Sequence, residues 1–222
     1  MTFVASEALG ALEREAGREA TLVSLAADGF PAPDPLTSVI AISLGHLGRR
    51  VDWPLLRHVA EGMPELTVLL VGEWHDDEVG KDPDYRACRA APNLLWLGRR
   101  SDEEAARLIG CADVGIVPFR VEPFNNAGLP FRILKYARLG RRSVTPDLAG
   151  VRTWERAVIR ARDAEAWIAA LRSQAGRRAR PDLELRAWAL DQRARTVNRP
   201  LLERMEALGI ESGRTDAQPQ RA

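Results

Sequence analysis

Four short segments concentrate residues able to hold a ligand: Gly45-His46-Leu47-Gly48, Gly72-Glu73, Gly98-Arg99-Arg100 and Pro118-Phe119-Arg120. Each begins with Gly or Pro directly after a short apolar run. Together they offer main-chain amides that glycine leaves open to close approach, three arginines and one imidazole. That set suits the binding of an anion better than attack on a bond. No nucleophile stands beside a base in any visible arrangement, so no catalytic residue is named. Metal chemistry has no signature either: Cys88 and Cys111 stand singly, and there is no CxxC, no histidine cluster and no HExxH. GxGxxG is missing, which disfavours a dinucleotide oxidoreductase, and the absence of GxxxxGK(S/T) excludes a P-loop NTPase.

The elements that must position these segments alternate between strand and helix. Val39–Leu44, Leu66–Val71, Leu94–Leu97 and Asp113–Val117 read as buried strands, each closed by Gly or Pro. Arg142–Thr145 and Val158-Ile159 continue the series. Between them the spacing predicts helices at Pro54–Glu61, Tyr85–Arg89 (weak), Asp102–Ile109, Pro130–Leu139 and Ala164–Ser173. Ser101 and Glu104 form a capping box for the third of these, and Asp163 caps the last. A long helical region is expected from Asp182 to about Leu208. This alternation indicates an open, Rossmann-like α/β domain: a parallel sheet with helices on both faces, which binds ligands at the carboxyl ends of its strands. The expected organisation is therefore a preceding strand, helix and proline-dense linker (1–36, with Phe30–Pro35 as the linker). A ligand-binding domain (37–175), C-terminal helices (176–210) and a disordered tail (211–222) follow.

Composition narrows the class. The 222 residues carry 32 basic and 31 acidic side chains, net charge +1, distributed along the chain. A nucleic-acid groove needs basic residues gathered on one face, so no nucleic-acid partner is expected. Apolar residues make up 45% and charged residues 28%, ordinary for a soluble globular protein. No apolar run reaches the roughly 20 residues that span a bilayer, and the N-terminus lacks a signal-peptide pattern. A soluble, reduced cytoplasmic protein is expected, with at most peripheral membrane contact.

Read in order, several segments resemble the C-terminal, nucleotide-sugar-binding half of GT-B glycosyltransferases of the group 1 (family 4-like) branch. They are Gly45–Leu56, Leu69-Leu70-Val71-Gly72, Asn93–Arg99, Cys111-Ala112-Asp113-Val114-Gly115-Ile116-Val117-Pro118-Phe119 and Pro130–Gly140. The family shows a glycine loop, "LVG", "N-x-x-x-x-G", "A-D-V-G-x-x-P" and "P-x-K-x-x-E-Y-x-x-x-G". Each piece is common; the ordered set, over about Val39 to Val158, is specific. Residues 1–33 resemble the end of such an enzyme's N-terminal domain. The resemblance therefore implies that the acceptor-binding domain is absent here or comes from another chain or a homo-oligomer partner.

The resemblance implies a nucleotide-diphosphate-sugar as donor substrate, with no cofactor and no metal. The diphosphate would rest on the amides of Asn125-Asn126-Ala127-Gly128-Leu129 before the Pro130 helix. Arg132 stands where the family has a lysine and would add a bidentate fork. Gly45 and His46 would face the same cleft, and Arg120 could reach it. Lys135 replaces a glutamate that accepts hydrogen bonds from ribose hydroxyls; an ammonium can only donate, so Lys135 either meets a phosphate or marks a lost site. A second family glutamate is Ala127 here. Each residue also has a plainer reading: Gly45 as a turn, His46 as a structural ring, and Asn125 and Asn126 as turn formers. A degenerate, non-catalytic interaction module is the corresponding alternative for the chain.

Overall fold

Runs that are apolar on both faces became strands covered on both faces. The computed structural model describes residues 2–4, 7–22 and 38–208 and divides into the units Met1–Asp34 and Pro35–Ala222. In the first unit β1 (Thr2–Val4) and β2 (Ala20–Leu22) pair in parallel, joined by α1 (Glu7–Glu15). The expected linker at Phe30–Pro35 and the tail after residue 210 lie outside the described residues.

The second unit holds β3 (Val39–Leu44), α2 (Trp53–Gly62), β4 (Leu66–Val71), α3 (Asp76–Val79), α4 (Pro83–Ala90), β5 (Leu94–Gly98), α5 (Asp102–Cys111) and β6 (Val114–Ile116). Then come α6 (Pro123–Ala127), α7 (Arg132–Ala137), β7 (Ser143–Thr145), β8 (Val158–Arg160), α8 (Ala164–Arg172), α9 (Leu183–Asp191), α10 (Ala194–Val197) and α11 (Arg199–Ala207). The six strands are parallel, in the order β5-β4-β3-β6-β7-β8. Counted within the sheet this is 3-2-1-4-5-6, the doubly wound order, with its switch point between β3 and β6.

Alternation along each strand feeds two cores. Val39 and Ala41 of β3, with Leu66, Val68 and Leu70 of β4, face α2, α4 and α8 through Trp53, Leu56, Cys88, Trp167 and Leu171. Ile42, Leu44 and Val71 face α5, α7 and α9 through Ile109, Ile133, Tyr136 and Leu185. Burial on both sides accounts for the absence of an in/out polar alternation in the sequence. The capping box forms as expected: the Glu104 amide donates to the Ser101 hydroxyl (3.2 Å) and the Ser101 amide to the Glu104 carboxylate (2.9 Å).

Three expectations are corrected. The segment expected as loop 125–129 contains a helical turn, because Pro123 opens one that runs to Ala127. The helix expected at Pro130–Leu139 is Arg132–Ala137, shortened by a turn at Pro130-Phe131 and by Gly140 in the left-handed region (φ 70°). The long C-terminal helix is three, interrupted around Gln192-Arg193 and Asn198, where Pro200 restarts it.

The motif Ala112-Asp113-Val114-Gly115 has structural work to do. The buried Asp113 carboxylate accepts from the amides of Ile40 (2.9 Å) and Arg178 (2.8 Å) and pairs with the Arg178 guanidinium. It thereby clips the segment after α8 to the start of β3. Gly115 is required because a Cβ there would lie 2.2 Å from the Tyr136 ring.

Candidate functional site

The carboxyl ends of β3, β4 and β5 open on a crevice of about 310 Å³, with Gly45, His46, Gly72, Glu73, Arg99, Arg100 and Asp102 along its rim and Arg132 and Lys135 of α7 below. Its shape depends on glycine. Gly45 has φ 104°, and a Cβ there would sit 2.7 Å from Nη2 of Arg132. A Cβ on Gly72 would sit 1.8 Å from the Gly45 carbonyl oxygen. Both positions bring backbone and guanidinium closer than any side chain allows.

Arg132 is held by packing rather than by an opposite charge. Its guanidinium stands 4.8 Å from the Phe119 ring centroid, a cation–π contact. Nη1 is buried with no hydrogen-bond partner, and no carboxylate among the described residues pairs with it. Desolvation lowers the Arg132 pKa and the nearby Arg50 adds to this, yet a guanidinium keeps its proton. The result is a cation without counter-charge, facing a crevice at a helix start whose first amides no side chain caps. Beneath it Tyr136 is fully buried. Its hydroxyl accepts the Leu44 amide (2.8 Å), and burial pushes its pKa up to about 12.

Lys135 also lines the crevice, but its ammonium is bound to Asp102 at 2.7 Å. The Lys135 charge holds the Asp102 carboxyl below its ordinary pKa. His46 is engaged too: Nε2 lies 3.1 Å from Glu78, and its ring stacks on His75 with centroids 3.8 Å apart. The expected absence of a histidine cluster is corrected here. His46 and His75 follow β3 and β4, neighbouring parallel strands that end at the same edge, so distance in sequence hid the proximity.

Gly45, His46, Arg132 and Lys135 are thus brought together, and the remaining candidates are placed elsewhere. Asn125 is fully buried; its Oδ1 accepts from Arg50 (2.8 Å) and its Nδ2 donates to the Arg120 carbonyl (2.9 Å). Asn126 accepts the Ala149 amide (2.9 Å). Two of the amides expected to meet a ligand are used within the chain, Asn126 to the Glu122 carbonyl and Gly128 to that of Phe124. Ala127 ends α6, and its carbonyl packs under Gly150. Gly128 and Leu129 line a second recess, about 340 Å³, which also includes Phe124, Phe131 and Arg132. Arg120 turns away to the Val51 carbonyl (3.2 Å) and Asp82 (3.4 Å). Sequence reasoning missed Asp102, His75 and Glu78. The i, i+3 spacing of His75 and Glu78 in the polar run after β4 was the available signal.

No helix among the described residues is long and apolar enough to cross a membrane, and no protein-family model matches the sequence. Over 105 residues the chain is 25% identical to TuaH of Bacillus subtilis, a protein named for a glycosyltransferase role in teichuronic acid biosynthesis. That match covers 47% of this chain and 26% of TuaH. Among solved structures, Anabaena HepE, in complex with UDP and glucose, superposes with a TM-score of 0.57 at 16% identity, covering 92% of this chain and 62% of HepE. The pneumococcal O-GlcNAc transferase GtfA, in complex with UDP and GlcNAc, gives 0.54 at 13% identity, covering 94% of this chain and 45% of GtfA. The catalytic domain of the Helicobacter pylori cholesterol-α-glucosyltransferase gives 0.54 at 16% identity, covering 70% of this chain and all of that domain. The chain thus matches about a quarter of its curated relative, 62% of HepE and 45% of GtfA. Its parallel sheet, strand order and these likenesses give it the fold of one half of a GT-B-type glycosyltransferase.

Proposed function

We propose that this chain is the donor half of a glycosyltransferase: it binds a nucleotide-diphosphate-sugar in the crevice at the carboxyl ends of β3, β4 and β5, for transfer of the sugar to an acceptor. The acceptor-side groups would come from an N-terminal domain. One observation carries this reading, the uncompensated Arg132 guanidinium at the crevice floor, with its Nη1 buried and unpartnered. A group of that kind is costly to keep unless an anion completes it. A diphosphate does so through two oxygens.

The chemistry follows from charge. As the bond between the anomeric carbon and the phosphate oxygen breaks, negative charge grows on the leaving diphosphate. A donor already aimed at it stabilises that charge, by ~3 kcal/mol in comparable sites. The recess lined by Gly128, Leu129 and Phe131 shares Arg132 with the crevice and offers room for the sugar beside the diphosphate. The UDP-bound relatives support this assignment.

Equilibrium titration with nucleoside mono- and diphosphates, nucleotide-sugars and inorganic pyrophosphate tests it. Diphosphates should bind more tightly than monophosphates, and Arg132→Ala should abolish the preference. No binding at about 1 mM ligand would end the donor-site reading.

Lys135 favours a second reading, a binding module that has kept the fold and given up transfer. Its ammonium, tied to Asp102, stands where the resemblance expects a carboxylate. If Lys135→Glu creates nucleotide affinity that the parent lacks, this reading holds; if it weakens existing affinity, the first one does.

A further inference from the structure

We infer that His46, His75 and Glu78 form a binding site for one divalent transition-metal ion of the zinc class, at the lip of the crevice. Two imidazoles and one carboxylate are the ligand set such an ion selects, with a further position left open. One nitrogen or oxygen from each residue lies within 4.8 Å of the other two. The closest pair, His46 Nε2 and Glu78 Oε2, is 3.1 Å apart, and His75 Nδ1 lies 3.8 Å from Glu78 Oε1. Tetrahedral ligands with bonds of ~2.1 Å stand about 3.4 Å from one another. The cluster is therefore near the spacing an ion imposes.

Three independent features point the same way. Neither ring nitrogen of His75 is hydrogen-bonded to a described residue, and its Nε2 is buried without a partner. Its Nδ1, the nitrogen towards Glu78, therefore has no hydrogen bond to a described residue that an ion would have to displace. Next, Glu78 is held in place from outside the cluster, accepting the Arg49 amide at 3.0 Å. Outer hydrogen bonds of this kind orient metal ligands. Third, Gly48 leaves the space: a Cβ there would fall 2.3 Å from Glu78 Oε2 and 2.4 Å from His46 Nε2.

The ring geometry also says how loading proceeds. The imidazoles stack with 29° between their planes. Rings so nearly parallel do not aim two lone pairs at one point, so one ring must turn about its soft terminal torsion. Metal binding thus replaces the stack with two coordination bonds. Because His46 lines the crevice, an ion held by this cluster would lie beside a ligand bound there.

The test uses the untagged full chain in a Cys111→Ser background, which removes the exposed thiol as a competing ligand. Cobalt(II) titration followed by visible absorption, and zinc(II) titration in competition with a chromophoric chelator, should each show one equivalent bound. His75→Ala and Glu78→Gln should weaken binding at least ~10-fold. Gly48→Ala should do the same while leaving every ligand present. Thermal unfolding of each metal-free variant identifies any that fail to fold, and Glu78→Gln, the isosteric change, then decides. The inference is overturned if no stoichiometric ion binds below about 100 µM free zinc. It is equally overturned if folded His75→Ala or Glu78→Gln binds as the parent does.

Discussion

Replacing Arg132 with methionine separates a ligand-binding residue from a packing residue, because the two roles move stability and affinity in different ways. Methionine keeps the apolar stem against Phe119 and removes the charge. The free protein then loses the cation–π contact, worth about 0.5–2 kcal/mol. It is relieved of holding a desolvated cation for which no described carboxylate compensates, a cost of several kcal/mol when burial is complete and less for this partly exposed side chain. These effects oppose one another, so unfolding stability should change by less than ~1 kcal/mol, or rise. For a chain of this size that is a shift of about 2–4 °C in Tm. Affinity for a nucleoside diphosphate should meanwhile fall steeply. A charge-assisted hydrogen bond contributes about 1.5–3 kcal/mol, equivalent to a 10- to 150-fold loss for one bond. Isothermal titration and thermal unfolding, with and without ligand, read both quantities on the same samples. A variant destabilised by more than ~2 kcal/mol that binds as tightly as the parent would refute the reasoning and make Arg132 a structural residue.

Other residues give separate tests. Gly45→Ala strains a φ of 104° and drives a methyl into Arg132, so nucleotide affinity should fall about as far as in Arg132→Met, at a stability cost of ~1–3 kcal/mol seen in denaturant unfolding. Asp113→Ala strands two amides and the Arg178 guanidinium, and should cost about 3 kcal/mol without a direct effect on ligand contacts. Lys135→Ala should change stability by less than ~1 kcal/mol, since its pair with Asp102 is largely exposed. Tyr136 makes stability depend on alkaline pH. Its folded pKa of about 12 exceeds the unfolded value of ~10, so the folded state keeps a proton that the unfolded chain releases. That contribution is complete below pH ~10 and is lost as pH rises towards 12, on the order of 2 kcal/mol. Tyr136→Phe should therefore show a shallower decline than the parent over that window, and an identical slope would count against a buried, protonated hydroxyl.

The centre of the sheet was legible because β3, β4, β5 and β6 lie in apolar runs closed by Gly or Pro, and that pattern depends only on local sequence. The crevice edge was legible for the same reason, since Gly45 and His46 directly follow the first strand. Arg132 was read from the resemblance. What made it informative, the lack of a counter-charge, depends on Phe119 and Arg50 and exists only once the chain is folded. The segment from Asn125 to Leu129 misled because α6 is a single turn, too short to show a helical period. Asn125 looks like a turn former and is instead a buried latch on Arg50 and Arg120, while Asn126 holds the Ala149 amide. The partners of Lys135 and His46 lie on α5 and α3, brought close by strand order rather than by spacing.

Determining the structure of this chain with a nucleoside diphosphate bound tests the donor-site claim most directly. The expected result is a diphosphate in the crevice at the carboxyl ends of β3, β4 and β5, with phosphate oxygens on the Arg132 guanidinium. A ligand bound elsewhere, or in that crevice with Arg132 turned away from its phosphates, would contradict it.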